Sequence, residues 1–138
     1  MLLLASLLPA AWGIPIDGVA TTYDIIKAAS ADAPMVQIGN KVEVQAEAFE
    51  VTVDGKKGRK FYSTHTLKHT FKFYAGKGAF VKGFDRGTLG MKKGETRQLH
   101  IPAAEAYGDK GFTAFRIEAN TDVLFEVECV DISDQHEL

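Results

Sequence analysis

Residues Val81 to Glu95 read VKGFDRGTLGMKKGE, with glycine at positions 83, 87, 90 and 94 set among apolar residues and charges. A soluble chain usually avoids that density, because each glycine loses more backbone freedom on folding than any other residue. What offsets the loss is access to positive φ and to close backbone approach, which bulkier residues lack. The run AFVKGFDRGTL, residues 79–89, is the one stretch whose pattern hints at a helix, and it is short.

The flanks of this stretch read as strands. GETRQLHIP, residues 94–102, alternates Thr96, Gln98 and His100 against Arg97, Leu99 and Ile101, and stops at Pro102. HTFKFYAG places Phe71 and Phe73 on one face. TDVLFEVECVDI places Val123, Phe125, Val127 and Cys129 on one face, with Leu124 and Val130 partly covering the other. Further upstream, Val42, Val44, Ala46 and Ala48 keep period two, and Phe49, Val51 and Val53 continue it one residue out of phase. That slip predicts a bulge. Asp54-Gly55 follows as a hairpin turn. A short β-prone run at Thr22–Ile26 comes first. Strands dominate, so the expected class is α+β: an antiparallel sheet wrapped on one short α-helix.

The chain has 138 residues, 46% apolar and 25% charged, the size and balance of one globular domain. Lys plus Arg number 16 and Asp plus Glu 18, which argues against a general nucleic-acid binder. A single cysteine, Cys129, excludes a disulfide framework and a multi-cysteine zinc site. The uncharged start MLLLASLLPAAWG is too short to span a bilayer, and its Ala11 and Gly13 suit a signal-peptidase cut, so residues 1–13 are expected to be a signal peptide. The end, DQHEL, is similar to receptor-read retrieval signals of the endoplasmic reticulum. The expected location is the reticulum lumen or secretory pathway, with no membrane span.

Familiar chemistry is poorly represented. His65 and His69 lie between strands, where a spacing of four does not make a metal pair. Lys56, Lys57, Arg59 and Lys60 read as a charged hairpin tip. Cys129 sits in an apolar alternation and reads as a buried structural thiol. No serine has a nucleophile-elbow setting, and GKGAFVKG lacks the Gly-Lys-Ser/Thr of a phosphate loop. Aromatic carbon, by contrast, is abundant at Phe61, Phe71, Phe73, Phe80, Phe84, Tyr107, Phe112, Phe115 and Phe125.

The segments FKFYAGKGAFVKGFDRGTLGMKKGETRQLHIPAAEAYGDKGF and VLFEVECVDI resemble the FKBP-type peptidyl-prolyl isomerases, the immunophilin family that binds macrolide immunosuppressants. The resemblance runs from about Gly39 to Ile132. It implies an FKBP-like domain over 39–132, preceded by an N-terminal segment with the first strand at 14–38 and followed by a tail at 133–138. It also implies isomerase activity on proline-containing polypeptides of the secretory pathway, with no cofactor and no metal. The site it implies has aromatic walls at Phe61, Phe71 and Phe125 and a floor at Phe84. Phe80 and Val81 stand at the helix entrance, the Val81 amide donating to a substrate carbonyl. Tyr107 offers its hydroxyl, and Ile117 lies on the following loop. Phe71, Val81, Phe84, Tyr107 and Phe125 form the expected catalytic set; Ala46, Phe61, Tyr62, Phe80 and Ile117 the substrate-binding set.

Three positions depart from the family pattern: Ala46 stands where a tyrosine is usual, Tyr62 replaces an aspartate, and Phe84 replaces a tryptophan. The hairpin from Val51 to Lys60 is also longer. Smaller residues at 46 and 84 predict a wider, wetter pocket, low activity and weak macrolide binding. The alternative is a non-catalytic binding module with the same fold and a drifted pocket.

Overall fold

The computed structural model describes residues 13–134; the expected signal peptide up to Trp12 and the tail from Gln135 lie outside the described residues. Seven strands form one sheet: β1 (Ile14–Pro15), β2 (Thr22–Lys27), β3 (Lys41–Val51), β4 (Lys57–Ser63), β5 (Phe71–Tyr74), β6 (Thr96–Ile101) and β7 (Val123–Ser133). Their order is β1-β2-β6-β7-β3-β4, β5 also pairs with β3, and every pairing is antiparallel. The expected α+β class is what the chain adopts.

The phase slip in β3 is a bulge. Burial alternates along the strand until Ala48 and Phe49, which are both buried, and the register with β4 shifts between those two residues. An extra residue on one strand turns the following side chains to the other face and sharpens the twist. The β3–β4 hairpin then closes through a turn in which Gly55 has φ +81°. Its basic run is neutralised within the molecule: Lys57 pairs with Glu126, Arg59 with Glu50 and Lys60 with Glu47, each at 2.8–2.9 Å.

The helix expected at 79–89 is α2, Lys82–Gly87; a second helical turn, α1 at Thr64–Leu67, was not expected and follows β4 directly. Ser63 starts α1, its hydroxyl accepting from the Thr66 amide at 3.2 Å, and Lys68 ends it in the left-handed region. The sequence holds a good N-cap there but only one turn of pattern, too little to distinguish from a loop. His65 lies within it and His69 just beyond its end, both exposed.

Two glycines let α2 lie directly on the sheet. A β-carbon on Gly83 would stand 2.6 Å from Thr21 Oγ1 and 2.9 Å from Ile101 Cγ1, and one on Gly87 would stand 2.9 Å from both Leu99 methyls. These residues are one turn apart and face β6. Gly94, at φ +93°, serves differently: it turns the chain into β6 in a conformation that L side chains rarely adopt. Between helix and sheet lie Val42, Val44, Ala46 and Ala48 of β3, Leu99 and Ile101 of β6, Val123, Phe125, Val127 and Cys129 of β7, with Phe84 and Met91. Fully burying Phe84 or Phe125 stabilises the fold by about 1.5–3 kcal/mol each. Burial, reinforced by the carboxylates of Glu95 and Asp131, pushes the Cys129 thiol up to about 11, which keeps it inert.

Candidate functional site

The platform is α2, and a buried arginine fixes it from below. Arg97 points inward from β6 beside Leu99 and Ile101. Its Nη1 donates to the carbonyls of Gly87 at 3.0 Å and Leu89 at 3.1 Å, satisfying acceptors left open where the helix ends. Its Nε donates to Glu95, and its guanidinium lies 3.9 Å from the Tyr23 ring centroid. Charge on the core-facing side of a strand is expensive unless paired, and here Nε and Nη1 are hydrogen-bonded and the guanidinium stacks on Tyr23.

Phe84 projects from α2 with no exposed surface. Its ring centroid lies 5.8 Å from Phe71, 5.0 Å from Phe73 and 5.5 Å from Phe125. Phe61 on β4 closes the Phe125 side, edge to face at 6.2 Å. The structure therefore brings Phe61, Phe71, Phe84 and Phe125 together as walls and floor of one aromatic box. Edge-to-face pairs at these distances fix ring orientation as well as burying area.

The gap expected over Phe84 is not open: its ring has no exposed surface. The Phe80 ring fills the place: it lies 5.2 Å from Phe71, 5.4 Å from Phe84 and 5.1 Å from Phe125. Tyr62 backs it, edge to face at 5.0 Å, and burial raises the Tyr62 phenol above its usual pKa. Small residues at 46 and 84 predict a void only if nothing moves in. Here the volume lost at the floor is regained by a large neighbour at 80. Ala46 itself is buried in β3, its amide donating to Thr64 Oγ1 at 3.0 Å.

Two polar groups at the rim are unspent. The Tyr107 hydroxyl is buried and has no hydrogen-bond partner among the described residues. Burial pushes its pKa up to about 12, so it is a donor across the physiological range. Tyr107 stands edge-on to Phe61 at 6.1 Å. The Val81 amide, at the entrance of α2, likewise has no partner among the described residues.

The loop after Tyr107 carries the expected Ile117 and adds Phe112 and Phe115, aromatic rings to which the sequence assigns no place in the site. Phe112 and Ile117 pair backbone to backbone, at 2.8 and 2.9 Å, around a short 3₁₀ turn at Thr113–Phe115. Ile117 is buried in this closure. Phe115 reaches Phe61 at 5.4 Å and Tyr62 at 6.2 Å, while Phe112 stacks on Tyr107 at 5.1 Å. Arg59 Nη2 donates to the carbonyls of Phe115 at 2.7 Å and Arg116 at 3.2 Å, tying the loop to the hairpin. The aromatic interleaving at 112 and 115 was the available signal.

A family model described as FKBP-type peptidyl-prolyl cis-trans isomerase matches residues 33–130. Peptidyl-prolyl cis-trans isomerase FKBP12 of Arabidopsis thaliana is 36% identical over 102 residues, which cover 73% of this chain and 89% of that protein. Peptidyl-prolyl cis-trans isomerase FKBP2 of Mus musculus is 38% identical over 81 residues, covering 59% of this chain and 57% of that protein. Among solved structures, the N-terminal domain of FKBP42 from Arabidopsis thaliana superposes with a TM-score of 0.72 at 23% identity, over 83% of this chain and 87% of that one.

Proposed function

The chain belongs to the FKBP-type peptidyl-prolyl cis-trans isomerases, and from that premise we propose that it isomerises X–Pro bonds of secretory-pathway polypeptides at a reduced rate, using the aromatic box on α2. The observation that carries the assignment of the site is the box itself, with two unspent donors at its rim: the Tyr107 hydroxyl and the Val81 amide.

Rotation about an X–Pro bond faces roughly 20 kcal/mol, because amide resonance is lost in the twisted state. No covalent step is needed. A twisted amide is less charge-separated than a planar one, so a dry apolar environment favours it over the ground state. Phe84 supports the prolyl ring, and Phe71 and Phe125 flank it. Tyr107 and the Val81 amide hold neighbouring backbone carbonyls and fix the axis of rotation. Phe61, Tyr62 and Phe115 face the residues beside the proline. Reduced activity is supported by Phe84 in place of tryptophan, by Tyr62 in place of aspartate and by the Phe80 ring inside the box. That ring is also what favours the alternative, a binding module without turnover.

An isomerisation assay on a Leu-Pro peptide with the purified protein tests the reading. The expected result is a rate above the uncatalysed one, removed by Phe125→Ala in a variant that still folds. No acceleration by the unmodified protein overturns the catalytic reading and leaves the binding module.

The secretory assignment rests on sequence: the uncharged run before Ile14 and the terminal Gln135–Leu138, both outside the described residues. Mass spectrometry of protein from its native host is expected to find Ile14 at the N-terminus, and deletion of Glu137 and Leu138 to release the protein from the cell. Intact Met1 or unchanged retention refutes the corresponding half.

A further inference from the structure

The loop from Tyr74 to α2 carries three residues at positive φ: Gly76 at +77°, Gly78 at +88° and Phe80 at +62°. Two are glycines, for which this region is open. Phe80 is not, and a bulky residue there is a true outlier. The other non-glycine residues at positive φ have ordinary reasons: Lys68 and Arg116 end helical turns, and Asn120 tolerates the conformation. Phe80 immediately precedes Val81, the N-cap of α2, a place that does not of itself call for positive φ. Such a conformation persists when surrounding contacts over-determine it, and here those contacts are the rings of Tyr62, Phe71, Phe84 and Phe125, all with centroids 5.0–5.4 Å away.

Resting on the isomerase reading of the box, we propose that Phe80 is an intramolecular competitor for the prolyl seat, so that only polypeptides able to displace its ring gain access. The Phe80 ring takes the contacts assigned above to the prolyl ring: Phe84 beneath, Phe71 and Phe125 at the sides. The neighbouring cavity, about 310 Å³, is lined by Lys60, Phe61, Tyr62, Thr66, Leu67 and Phe115 together with Ser63, and not by Phe71, Phe84 or Phe125. That cavity thus lies beside the box. The loop has the means to move the ring out: glycines at 76 and 78 precede it, and Asp85 Oδ1 accepts from the Gly76 amide at 3.1 Å, anchoring the loop upstream of the part that swings. A competitor of this kind lowers apparent affinity by the fraction of molecules with an empty seat and leaves the filled complex unchanged. Its signature is therefore a raised KM with kcat preserved. Phe80 acts through access to the seat and is not itself a catalytic residue.

The decisive variant is Phe80→Gly, which keeps the backbone conformation and deletes the ring; Phe80→Ala is made in parallel. Two readouts are taken: steady-state constants on the Leu-Pro peptide, and the Kd of N-acetylproline methylamide by NMR titration, which needs no turnover. The expected result is a fall in KM and in Kd on the order of tenfold, with kcat held. An unchanged or weaker Kd for the amide in a folded variant overturns the proposal. If the amide gains affinity but no form of the protein accelerates isomerisation, the plug stands and the catalytic reading fails. If the unmodified enzyme turns over and neither constant moves in the variants, the plug fails and the catalytic reading stands. Should both variants unfold by circular dichroism, the unmodified full chain still decides: NOEs between the rings of Phe80 and Phe84 are expected to vanish on saturation with the amide, and their persistence refutes displacement.

Discussion

Thr21 Oγ1 lies only 2.6 Å from where a β-carbon on Gly83 would stand, and that hydroxyl is not free to move: it donates to Glu105 Oε1 at 2.6 Å. The same carboxylate also accepts the amides of Ala20 and Thr21 at 2.8 and 2.9 Å, tying the segment before β2 to the chain after β6. Burial opposes ionisation of Glu105, but these bonds together outweigh it and hold the carboxyl below its usual pKa. In an ordinary exposed helix, Gly→Ala gains about 1 kcal/mol. Gly83→Ala is expected to lose about 1–3 kcal/mol instead, by overpacking against Thr21 and Ile101. Gly87→Ala meets both methyls of Leu99 at 2.9 Å, and because Leu99 is itself fully buried it is also expected to destabilise, but by less than Gly83→Ala, since flexible methyls yield more readily than the bonded Thr21 hydroxyl. Urea denaturation of the two variants compares them; equal effects would refute the contact account.

Arg97 yields a sharper prediction. Arg97→Met leaves Glu95 buried without its cation and the Gly87 and Leu89 carbonyls without their donor. Removing one partner of a buried pair costs about 3–5 kcal/mol. Arg97→Lys restores charge without the planar fork and is expected to recover only part of the loss. Adding Glu95→Gln to Arg97→Met should be less damaging than the sum of the single losses. A strictly additive double variant in denaturant titration would show that the pair is not coupled.

Arg97 also marks where the sequence was legible and where it was not. The alternation of β6 puts residue 97 on the covered face, and the structure agrees, but period two says nothing of why a charge is tolerated there. The answer depends on carbonyls from α2 and a ring from β2, which only the fold brings near. The bulge at Ala48 and Phe49 was readable because it leaves a local signature, a shift of phase. That Phe61, Phe71, Phe84 and Phe125 would lie together was readable through family resemblance, residue by residue. What was not readable was the packing inside: Phe84 is small for its place, and only its centroid separation of 5.4 Å from Phe80 shows which ring lies against it. Nor does the loop at 112–117 declare itself, because Phe115 reaches the site through a 3₁₀ turn held by Arg59, a residue more than fifty positions away.

The orphaned hydroxyl of Tyr107 separates stability from function. A buried polar group without a partner weakens the folded state, so Tyr107→Phe should leave stability unchanged or slightly higher. Substrate binding should weaken by about 0.5–1.5 kcal/mol, roughly two- to tenfold, through loss of one neutral hydrogen bond. The pH dependence has a definite sign. The folded state holds the phenol proton to about 12, the unfolded chain only to about 10, so stability falls as pH rises from 10 to 12. Tyr107→Phe should remove part of that alkaline loss. Thermal melts at pH 8 and pH 11 check both statements; a variant destabilised at pH 8 would mean that the hydroxyl is satisfied after all.

Macrolide ligands are expected to bind weakly. The acceptor that the family usually offers them is an aspartate, and here Tyr62 stands in its place with its ring turned onto Phe80. Loss of a hydrogen bond to a charged group costs about 1.5–3 kcal/mol, on the order of ten- to a hundredfold in affinity. Tyr62→Asp should recover part of this, both by restoring the acceptor and by withdrawing support from the Phe80 ring. Calorimetry on the two proteins decides; nanomolar binding by the unmodified protein would refute the prediction.

The floor residue gives the last test, because its effect should depend on what lies above it. Phe84 has no exposed surface and is enclosed by Phe71, Phe73, Phe80 and Phe125. Phe84→Trp in the unmodified protein therefore adds volume where none is free and should destabilise by about 1–3 kcal/mol. Phe80→Gly removes the ring on the open side of Phe84 and leaves a cavity, which is also destabilising alone. Combined, the indole can enter the space that the Phe80 ring vacates. The double variant should be more stable than the two single effects predict, with a coupling of about 0.5–3 kcal/mol in the favourable direction. It also restores the family's usual floor with the seat opened, so its isomerase activity should exceed that of Phe84→Trp alone. Urea denaturation of the four proteins gives the coupling, and the Leu-Pro assay gives the activity. Additive stabilities would mean that the rings at 80 and 84 do not share one space, and a stabilised double variant with no gain in rate would mean that the floor does not limit turnover.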